Sequence, residues 1–475
     1  MAANTTGASN TAVGKSALAA NTTASDNTAI GFEALEANTT GEALVAVGRR
    51  ALEANTTASN NTSVGYKSLY VNTTGASNVA LGTNALMANT TADNNIGIGH
   101  NAMKANTTGA TNVAVGQGAL DANTTASNNV AVGANAMTAN TTGASNVAVG
   151  KGSLEANTTA DSNTAIGYLA LLANTTGAYN VAIGALTLDA ATTANSNTGV
   201  GYAVLSNATT GAENTAMGVN AAQATTTGAN NVAIGTNALV ANTTASNNVA
   251  VGSAALTANT TGADNTAVGK NAGSNITTGG EHVIIGTDAA PTLTTGGRCT
   301  VVGEDADVSG QAGYEQVFGW SVHSAGGDRT TIGAAGDDSA LTNGATTWTA
   351  PSDRRLKEEI EDEKVGLDFI KELRPVTFRW KKEKDVPEEL RVYKAGSEKR
   401  IMGGKYNHGF IAQEVKEVID KHGLKEGFEM WSEDVLDGRQ RVGEGALIPM
   451  LVKSIQELSA EVEELKQQLN NNNEE

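Results

Sequence analysis

A serine hydroxyl and a lysine amine stand five residues apart at Ser352 and Lys357, directly after Pro351. A serine hydroxyl becomes an effective nucleophile when a neighbouring base takes its proton, and a lysine amine can be that base when it is buried. Attack of the Ser352 hydroxyl on the Pro351 carbonyl would give an ester that water then hydrolyses. Self-cleavage after Pro351 is therefore one hypothesis for this stretch, to be weighed against a structural role for Ser352.

Other residues near this pair have possible roles, and each has a structural alternative. Arg354 could stabilise the oxyanion, and His408 could position reacting groups. Serine and aspartate before a helix are also preferred N-cap residues, and Ser352 and Asp353 precede an apolar pattern of helical spacing. An N-cap thus remains the alternative interpretation of Ser352, as does a structural role for His408.

The segment before this pair is an array of repeats. Glycine recurs every 17 residues from Gly14 to Gly303, which defines 18 repeats, since (303 − 14)/17 + 1 = 18. In each repeat, residues such as Thr11 and Val13 alternate with a small residue such as Ala12, as in a β-strand. A constant repeat length is typical of a solenoid, because an insertion would shift every later coil. We therefore predict a mainly β fold, with a parallel β-roll or β-solenoid over residues 1–303.

The repeat also indicates how the coils associate. A two-residue turn after Gly14 leads to Ala17 and Leu18, where we expect a second strand. A coil this thin is not expected to bury both its Val/Ile stripe and its leucine stripe, so neighbouring copies should pack side by side around a common axis. Asn21 and its equivalents in later repeats, such as Asn38 and Asn55, match the N-glycosylation pattern. We interpret these asparagines as turn residues.

Residues 304–351 depart from the 17-residue pattern, and we interpret them as a connector or cap. Aromatic residues first become frequent there, with Tyr314, Phe318 and Trp320 close to His323. Repeat arrays need a cap, which favours a small aromatic core that closes the end of the solenoid. An exposed ligand-binding cluster is the alternative.

Residues 352–475 have the composition of a small α/β domain that ends in a coiled coil over residues 446–469. Apolar residues there alternate at spacings of three and four, which is the pattern of a coiled-coil seam. The seam predicts a homo-oligomer, and Ile or Val at a with Leu at d favours two strands. Its residues are Ile448, Leu451, Ile455, Leu458, Val462, Leu465 and Leu469.

Composition excludes several classes of function. A formal net charge of −18 argues against a nucleic-acid partner, because binding phosphates needs clustered lysine and arginine. The single cysteine, Cys299, cannot form an intrachain disulfide, and no cluster with metal-ligand spacing occurs, so we expect neither a metal nor another cofactor. The residues after Met1 predict neither a signal peptide nor membrane insertion.

The C-terminal segment resembles the endosialidase-type intramolecular chaperone family, an auto-processing module at the C-terminus of phage tailspikes and fibres. Three motifs carry the resemblance, and they are Ser352-Asp353-Arg354-Arg355-Leu356-Lys357-Glu358-Glu359-Ile360, Leu373-Arg374-Pro375-Val376 and Gly409-Phe410-Ile411-Ala412-Gln413-Glu414-Val415. The resemblance implies a trimerising domain that nucleates folding and then releases itself. It also implies that Ser352 is the nucleophile, that Lys357 is the base and that Pro351–Ser352 is the scissile bond. The family often has asparagine where this chain has Glu359.

The repeats are similar to the β-rolls of trimeric autotransporter adhesin heads and to repeats of phage tail fibres. Together the two resemblances imply a homotrimeric phage or phage-like tail fibre, made in the host cytoplasm and located in the virion, with a host-surface receptor or glycan as a possible partner. Its peptidase would act once on its own chain, without an external substrate. A bacterial surface adhesin stalk with the same maturation domain is the alternative. An enzyme acting on external glycans is disfavoured, because residues such as Glu33 and Glu36 form no recurring acidic pair.

Overall fold

The computed structural model describes residues 3–310, 313–324, 326–335, 337–343, 349, 352, 354–424, 430–433 and 438–472. The chain divides into two compact units, Met1–Pro351 and Ser352–Glu475. Among the described residues, no helix combines the length and the apolar character that crossing a membrane requires.

Short parallel strands stacked one per coil form the first unit, which confirms the predicted β-solenoid. Each of the first 17 strands pairs with the strand 17 residues later, as Thr11 does with Thr28 and Thr28 with Val45. In chain order the strands are β1 Thr11–Val13, β2 Thr28–Ile30, β3 Val45–Val47, β4 Thr62–Val64, β5 Val79–Leu81, β6 Ile96–Ile98, β7 Val113–Val115, β8 Val130–Val132, β9 Val147–Val149, β10 Thr164–Ile166, β11 Val181–Ile183, β12 Thr198–Val200, β13 Thr215–Met217, β14 Val232–Ile234, β15 Val249–Val251, β16 Thr266–Val268, β17 Val283–Ile285, β18 Thr300–Val302, β19 Gln316–Phe318, β20 Arg329–Ala334 and β21 Asp337–Thr342.

A glycine directly follows each of the first 18 strands, because successive coils approach closely at that point. A Cβ atom on Gly14 would lie 2.5 Å from the carbonyl oxygen of Gly31, and the φ of Gly14 is 130°. Both the space and the backbone conformation exclude other residues. The next coil thus explains the glycine, whereas the small residue at the centre of the strand faces the buried leucines, since a Cβ atom on Gly97 would lie 3.1 Å from Leu86 Cγ.

The leucine stripe lies inside the coil and the Val/Ile stripe does not, which agrees with the expectation that one chain would not bury both. Leu18 is fully buried, as are its repeats Leu35 and Leu52. The expected second strand, however, is absent from the described coils. Leu18 has a φ of 48°, in the left-handed region, although its N–H still donates to the Ala34 carbonyl of the next coil at 3.0 Å. This segment is therefore a stacked turn and not a strand.

Each coil has one strand. The Val/Ile residues of that strand point outward, while its central small residue is buried. We call this outward face the apolar stripe. Its more exposed members have fractional exposures between 36 % and 58 %, and they are Val13, Ile30, Val45, Leu81, Ile96, Ile166, Ile183, Met217, Ile234, Val268, Val283 and Ile285. A continuous apolar surface of this kind is unusual for a solitary chain.

Buried asparagines satisfy the polar groups inside the turns. Asn38 Nδ2 donates to Asn21 Oδ1 of the preceding coil at 3.2 Å, and Asn21 Nδ2 donates to the Ala24 carbonyl at 3.1 Å. Asn21 has no exposed surface in this fold, and neither do Asn38 and Asn55. This confirms that the sequon pattern reflects turn chemistry.

The parallel ladder continues beyond residue 303 with shorter coils. Thr300 pairs with Gln316 and Gln316 with Thr330, so these coils have 16 and 14 residues, before β21 pairs antiparallel with β20. The aromatic core expected here is wrong, because Tyr314 and Trp320 are exposed by 51 % and 57 %. Aliphatic residues fill the interior instead, together with a buried Glu315 that accepts hydrogen bonds from the backbone N–H and the Oγ of Ser309.

The second unit contains three helices and four short strands in its described part. They are α1 Leu367–Glu372, β22 Val376–Phe378, β23 Asn407–Gly409, α2 Ala412–Lys421, β24 Trp431–Glu433, β25 Gln440–Val442 and α3 Leu447–Asn472, with 3-10 turns at Arg354–Leu356, Glu383–Asp385 and Glu444–Ala446. The strands form two antiparallel pairs, β22 with β23 and β24 with β25. A small core joins the three helices, formed by Phe369, Leu373, Val415, Ile419, Met430, Leu447 and Met450.

Candidate active site

Ser352 and Lys357 are in direct contact. The 3-10 turn Arg354–Leu356 lies between them, and the Lys357 N–H donates to the Arg354 carbonyl at 3.2 Å. This turn folds the five-residue spacing so that Lys357 Nζ donates to Ser352 Oγ at 2.8 Å. Both side chains are exposed in the single chain. The pair therefore has the geometry for proton transfer, while its surroundings are open to water.

The other predicted participants are placed differently. Pro351, which supplies the predicted scissile carbonyl, lies outside the described residues, and so does Asp353. Arg354 is exposed within the turn. The hydrogen bond described for Ser352 Oγ is the one to Lys357 rather than an N-cap contact to the backbone of the turn.

Glu359, two residues after Lys357, adopts a strained backbone conformation. Its φ is 51°, in the left-handed region that asparagine tolerates better than glutamate. This conformation turns the chain just after Lys357, and asparagine would adopt it with less strain.

His408 belongs to a separate part of the unit. It lies on β23, and its Nδ1 is 3.2 Å from Thr377 Oγ1 on the paired strand β22. With Glu444 and Phe410 it lines a cavity of about 340 Å³. The hydrogen bond found for His408 is therefore a cross-strand contact, which fits the structural alternative and does not connect it to the Ser352–Lys357 pair.

An ion pair joins the other two sequence motifs. Arg374 follows α1 and Glu414 lies in the first turn of α2, and Arg374 Nε donates to Glu414 Oε2 at 2.9 Å. The Arg374 guanidinium lowers the pKa of the Glu414 carboxyl below its usual range. Sequence reasoning named both motifs without linking them, because forty residues separate the partners.

The predicted coiled-coil seam lies on one long helix, α3. The inner face of that helix packs on the unit through Leu447 and Met450, which are buried. All seven seam residues are instead exposed, by 42 % to 66 %. A helix that buries one face and leaves a full seam uncovered provides a surface for another helix.

Comparison with known families identifies part of the second unit. Residues 352–424 match the family described as the chaperone of endosialidase, a self-cleaving intramolecular chaperone. The match begins at Ser352, which is also where the second compact unit begins. The class defined by fold and family is therefore a β-solenoid shaft followed by an endosialidase-type chaperone segment, which fits a fibre protein with a C-terminal maturation domain. Comparisons with curated proteins and with solved structures returned no match.

Proposed function

We propose that this chain is a subunit of a trimeric tail fibre whose C-terminal unit gathers three chains, aligns the solenoids and then separates by cutting the Pro351–Ser352 bond. The observation that carries this proposal is the 2.8 Å contact between Lys357 Nζ and Ser352 Oγ at the first residue of the family match. The virion is its proposed location.

Cleavage follows from the chemistry of the pair. The neutral amine of Lys357 accepts the Ser352 hydroxyl proton while Oγ attacks the Pro351 carbonyl carbon. The peptide C–N bond then breaks, the proton passes to the departing amine of Ser352, and an ester remains. Water hydrolyses that ester, which leaves a carboxylate on Pro351 and restores the serine hydroxyl.

Assembly would activate this pair. A lysine acts as a general base when its amine is withdrawn from water, yet Lys357 is exposed in the single chain. The missing burial would come from another copy that packs through the seam of α3. Cleavage would then follow alignment, because an unassembled chain would lack the completed site.

A need for alignment arises from the shaft. Identical 17-residue coils can pair in a shifted register, and pairing between distant segments forms slowly because the entropy cost of closure comes first. Three helices that meet at one seam would set a common starting register. The apolar stripe then offers each solenoid a surface on which a second copy can pack.

A gel tests the cleavage. Wild-type chain should run as two fragments separated at residue 351, whereas Ser352→Ala and Lys357→Ala should remain intact. Lys364→Ala is a matched control, because Lys364 is an exposed lysine that pairs with Glu361. Equal processing of the Ser352→Ala chain would exclude the proposed nucleophile.

Light scattering tests the assembly. Uncleaved Ser352→Ala protein should have the mass of three 48.1 kDa chains. Charged residues in the seam, as in Leu458→Glu with Ile455→Glu, should reduce the mass to one chain and abolish cleavage in the otherwise wild-type background. A mass of two chains would support the two-stranded preference of the seam and contradict a trimer.

A further inference from the structure

The residue that follows each repeat glycine forms a column along the solenoid surface, which we call the flanking column. Its members are Lys15, Phe32, Arg49, Tyr66, Thr83, His100, Gln117, Ala134, Lys151, Tyr168, Ala185, Tyr202, Val219, Thr236, Ser253, Lys270, Thr287 and Glu304. The glycine turns the chain between this column and the apolar stripe, and Tyr66 and Tyr168 are exposed by 41 % and 51 %.

The composition of the flanking column differs from that of the rest of the array. Residues 1–303 contain six aromatic residues and eight lysines or arginines, and the column holds four of each. Within that stretch the column contains no acidic residue, although the stretch has fourteen, and only its last member, Glu304, is acidic. Exposed positions carry little packing constraint, so solenoid folding does not account for this concentration.

Cations and rings alternate on successive coils at the N-terminal end of the column. The Arg49 guanidinium carbon lies 5.6 Å from the Phe32 ring centroid and 5.9 Å from that of Tyr66. Lys15 Nζ flanks Phe32 on its other side at 5.8 Å, and Lys67 Nζ flanks Tyr66 at 5.5 Å. These contacts hold the cations in place before any ligand arrives, which lowers the entropy cost of binding.

A common spacing relates the members of this column. Lys15 and Arg49 are two coils apart, and so are Phe32 and Tyr66. Farther along, the exposed pair Tyr168 and Tyr202 repeats the same separation. With about 4.8 Å between stacked strands, two coils correspond to roughly 10 Å. The N-terminal end of the column, Lys15 to Tyr66, therefore matches a linear ligand whose charge and apolar surface both recur at about that interval.

Carboxylates border the charged part of the column. Arg50 Nε lies 2.8 Å from Glu33 Oε2 and 3.2 Å from Glu53 Oε2. Burial raises the pKa of the Glu53 carboxyl. Carboxylates are acceptors for hydroxyl donors and repel closely spaced anions, so the border favours a ligand rich in hydroxyl groups with few charges.

We propose that the flanking column binds an acidic polysaccharide in which one sugar in two bears a carboxylate. Arg49 and Lys15 bind carboxylates two coils apart, Phe32 and Tyr66 provide apolar surface for the sugars between them, and the bordering glutamates accept hydrogen bonds from hydroxyls. This site does not depend on self-cleavage. It would make the shaft itself a contact surface for glycans.

Single-stranded nucleic acid also combines anions with stacking groups, but it fits the column less well. It carries a phosphate on every nucleotide, whereas the N-terminal end of the column presents two cations, Lys15 and Arg49, separated by two coils. The bordering glutamates and the net charge of −18 add repulsion. A nucleic-acid probe therefore belongs in the test as a competing outcome.

The test uses the full chain and three probes. They are a polysaccharide alternating glucuronate with N-acetylglucosamine, polygalacturonate with a carboxylate on every sugar, and single-stranded poly(dT). Calorimetry at low salt should show the alternating polymer binding most tightly. Lys15→Ala with Arg49→Ala should weaken that binding by about tenfold to a hundredfold, as expected for lost charge-assisted hydrogen bonds.

Matched variants separate the column from general surface effects. Tyr66→Ala should weaken binding, whereas Tyr179→Ala, which removes a tyrosine 67 % exposed outside the column, should not. Each variant should keep the wild-type mass in solution. No binding of the alternating polymer, equal binding by the column variants or tighter binding of poly(dT) would overturn the proposal. A changed mass in the column variants would do so too, since the column would then be a subunit contact.

Discussion

Glu457 Oε2 accepts a hydrogen bond from the backbone N–H of Leu367 at 2.7 Å, across ninety residues of sequence. Leu367 is the first residue of α1, and Glu457 lies in the long helix α3. The carboxylate thus occupies the N-terminal end of a short helix, where unpaired N–H groups need an acceptor. This contact ties the seam helix to the body of the chaperone unit.

Removal of the Glu457 carboxylate should loosen α1. We expect Glu457→Ala to lower the free energy of unfolding of the second unit by about 1–2 kcal/mol, because the Leu367 N–H loses its partner. Urea unfolding followed by tryptophan fluorescence on uncleaved Ser352→Ala protein measures this change. Glu461→Ala, one turn farther along α3 and exposed, is the control and should have little effect.

Gly366 offers an independent check of the same contact. A Cβ atom there would lie 2.2 Å from Glu457 Oε2, so Gly366→Ala should displace the carboxylate. The two substitutions should not add when combined, since both remove one interaction. Additive losses would mean that Glu457 stabilises the unit by another route.

Asparagine at position 359 should stabilise the turn after Lys357. A left-handed conformation costs an ordinary residue roughly 1–2 kcal/mol, and asparagine recovers part of that cost. Glu359→Asn should therefore raise the urea midpoint and should not slow cleavage. Glu358→Asn is the matched control, because Glu358 is outside the left-handed positions. An equal gain in both variants would point to charge removal instead of backbone strain.

The buried asparagine ladder has a gap that can be closed. Asn174 Oδ1 is buried without a hydrogen-bond partner, because alanine replaces asparagine in the next two coils at Ala191 and Ala208. Replacing both alanines with asparagine should reconnect the ladder toward Thr225 and raise the free energy of unfolding by about 1 kcal/mol. Ala191→Asn alone should gain less, because it moves the unpaired oxygen to the new side chain. Thermal unfolding of the two variants decides between them.

Acid should weaken a charged cluster beside the 3-10 turn Glu383–Asp385. Hydrogen bonds from Lys382 and Lys384 lower the pKa of Glu398 from 4.5 to about 2. A depressed carboxyl pKa stabilises the fold above the unfolded value and loses that effect as pH falls through the folded one. Glu398→Gln should thus be less stable than the parent at pH 7, and the difference should fade between pH 4.5 and about 2. Added salt should also reduce this difference in stability between Glu398→Gln and the parent. Glu389→Gln provides the control, and a difference that persists at low pH would exclude this ion cluster as its cause.

Periodicity in the sequence was sufficient to predict the solenoid. Eighteen glycines at a constant interval leave few alternatives, because one coil length must bring each glycine over the next. The motif around Ser352 and Lys357 was likewise recognisable, since both residues lie within one turn of chain. Such features depend on local spacing, which sequence records directly.

Tertiary structure decided which face of the coil is the core. The sequence pattern treated the Val13 stripe and the Leu18 stripe as equal candidates, but Leu18 turns inward because its backbone adopts a left-handed conformation. The sequence pattern also did not predict that Trp320 is exposed or that Leu367 contacts Glu457. Side-chain direction and contacts between distant residues depend on where the folded chain places each backbone segment, and linear spacing does not encode that position.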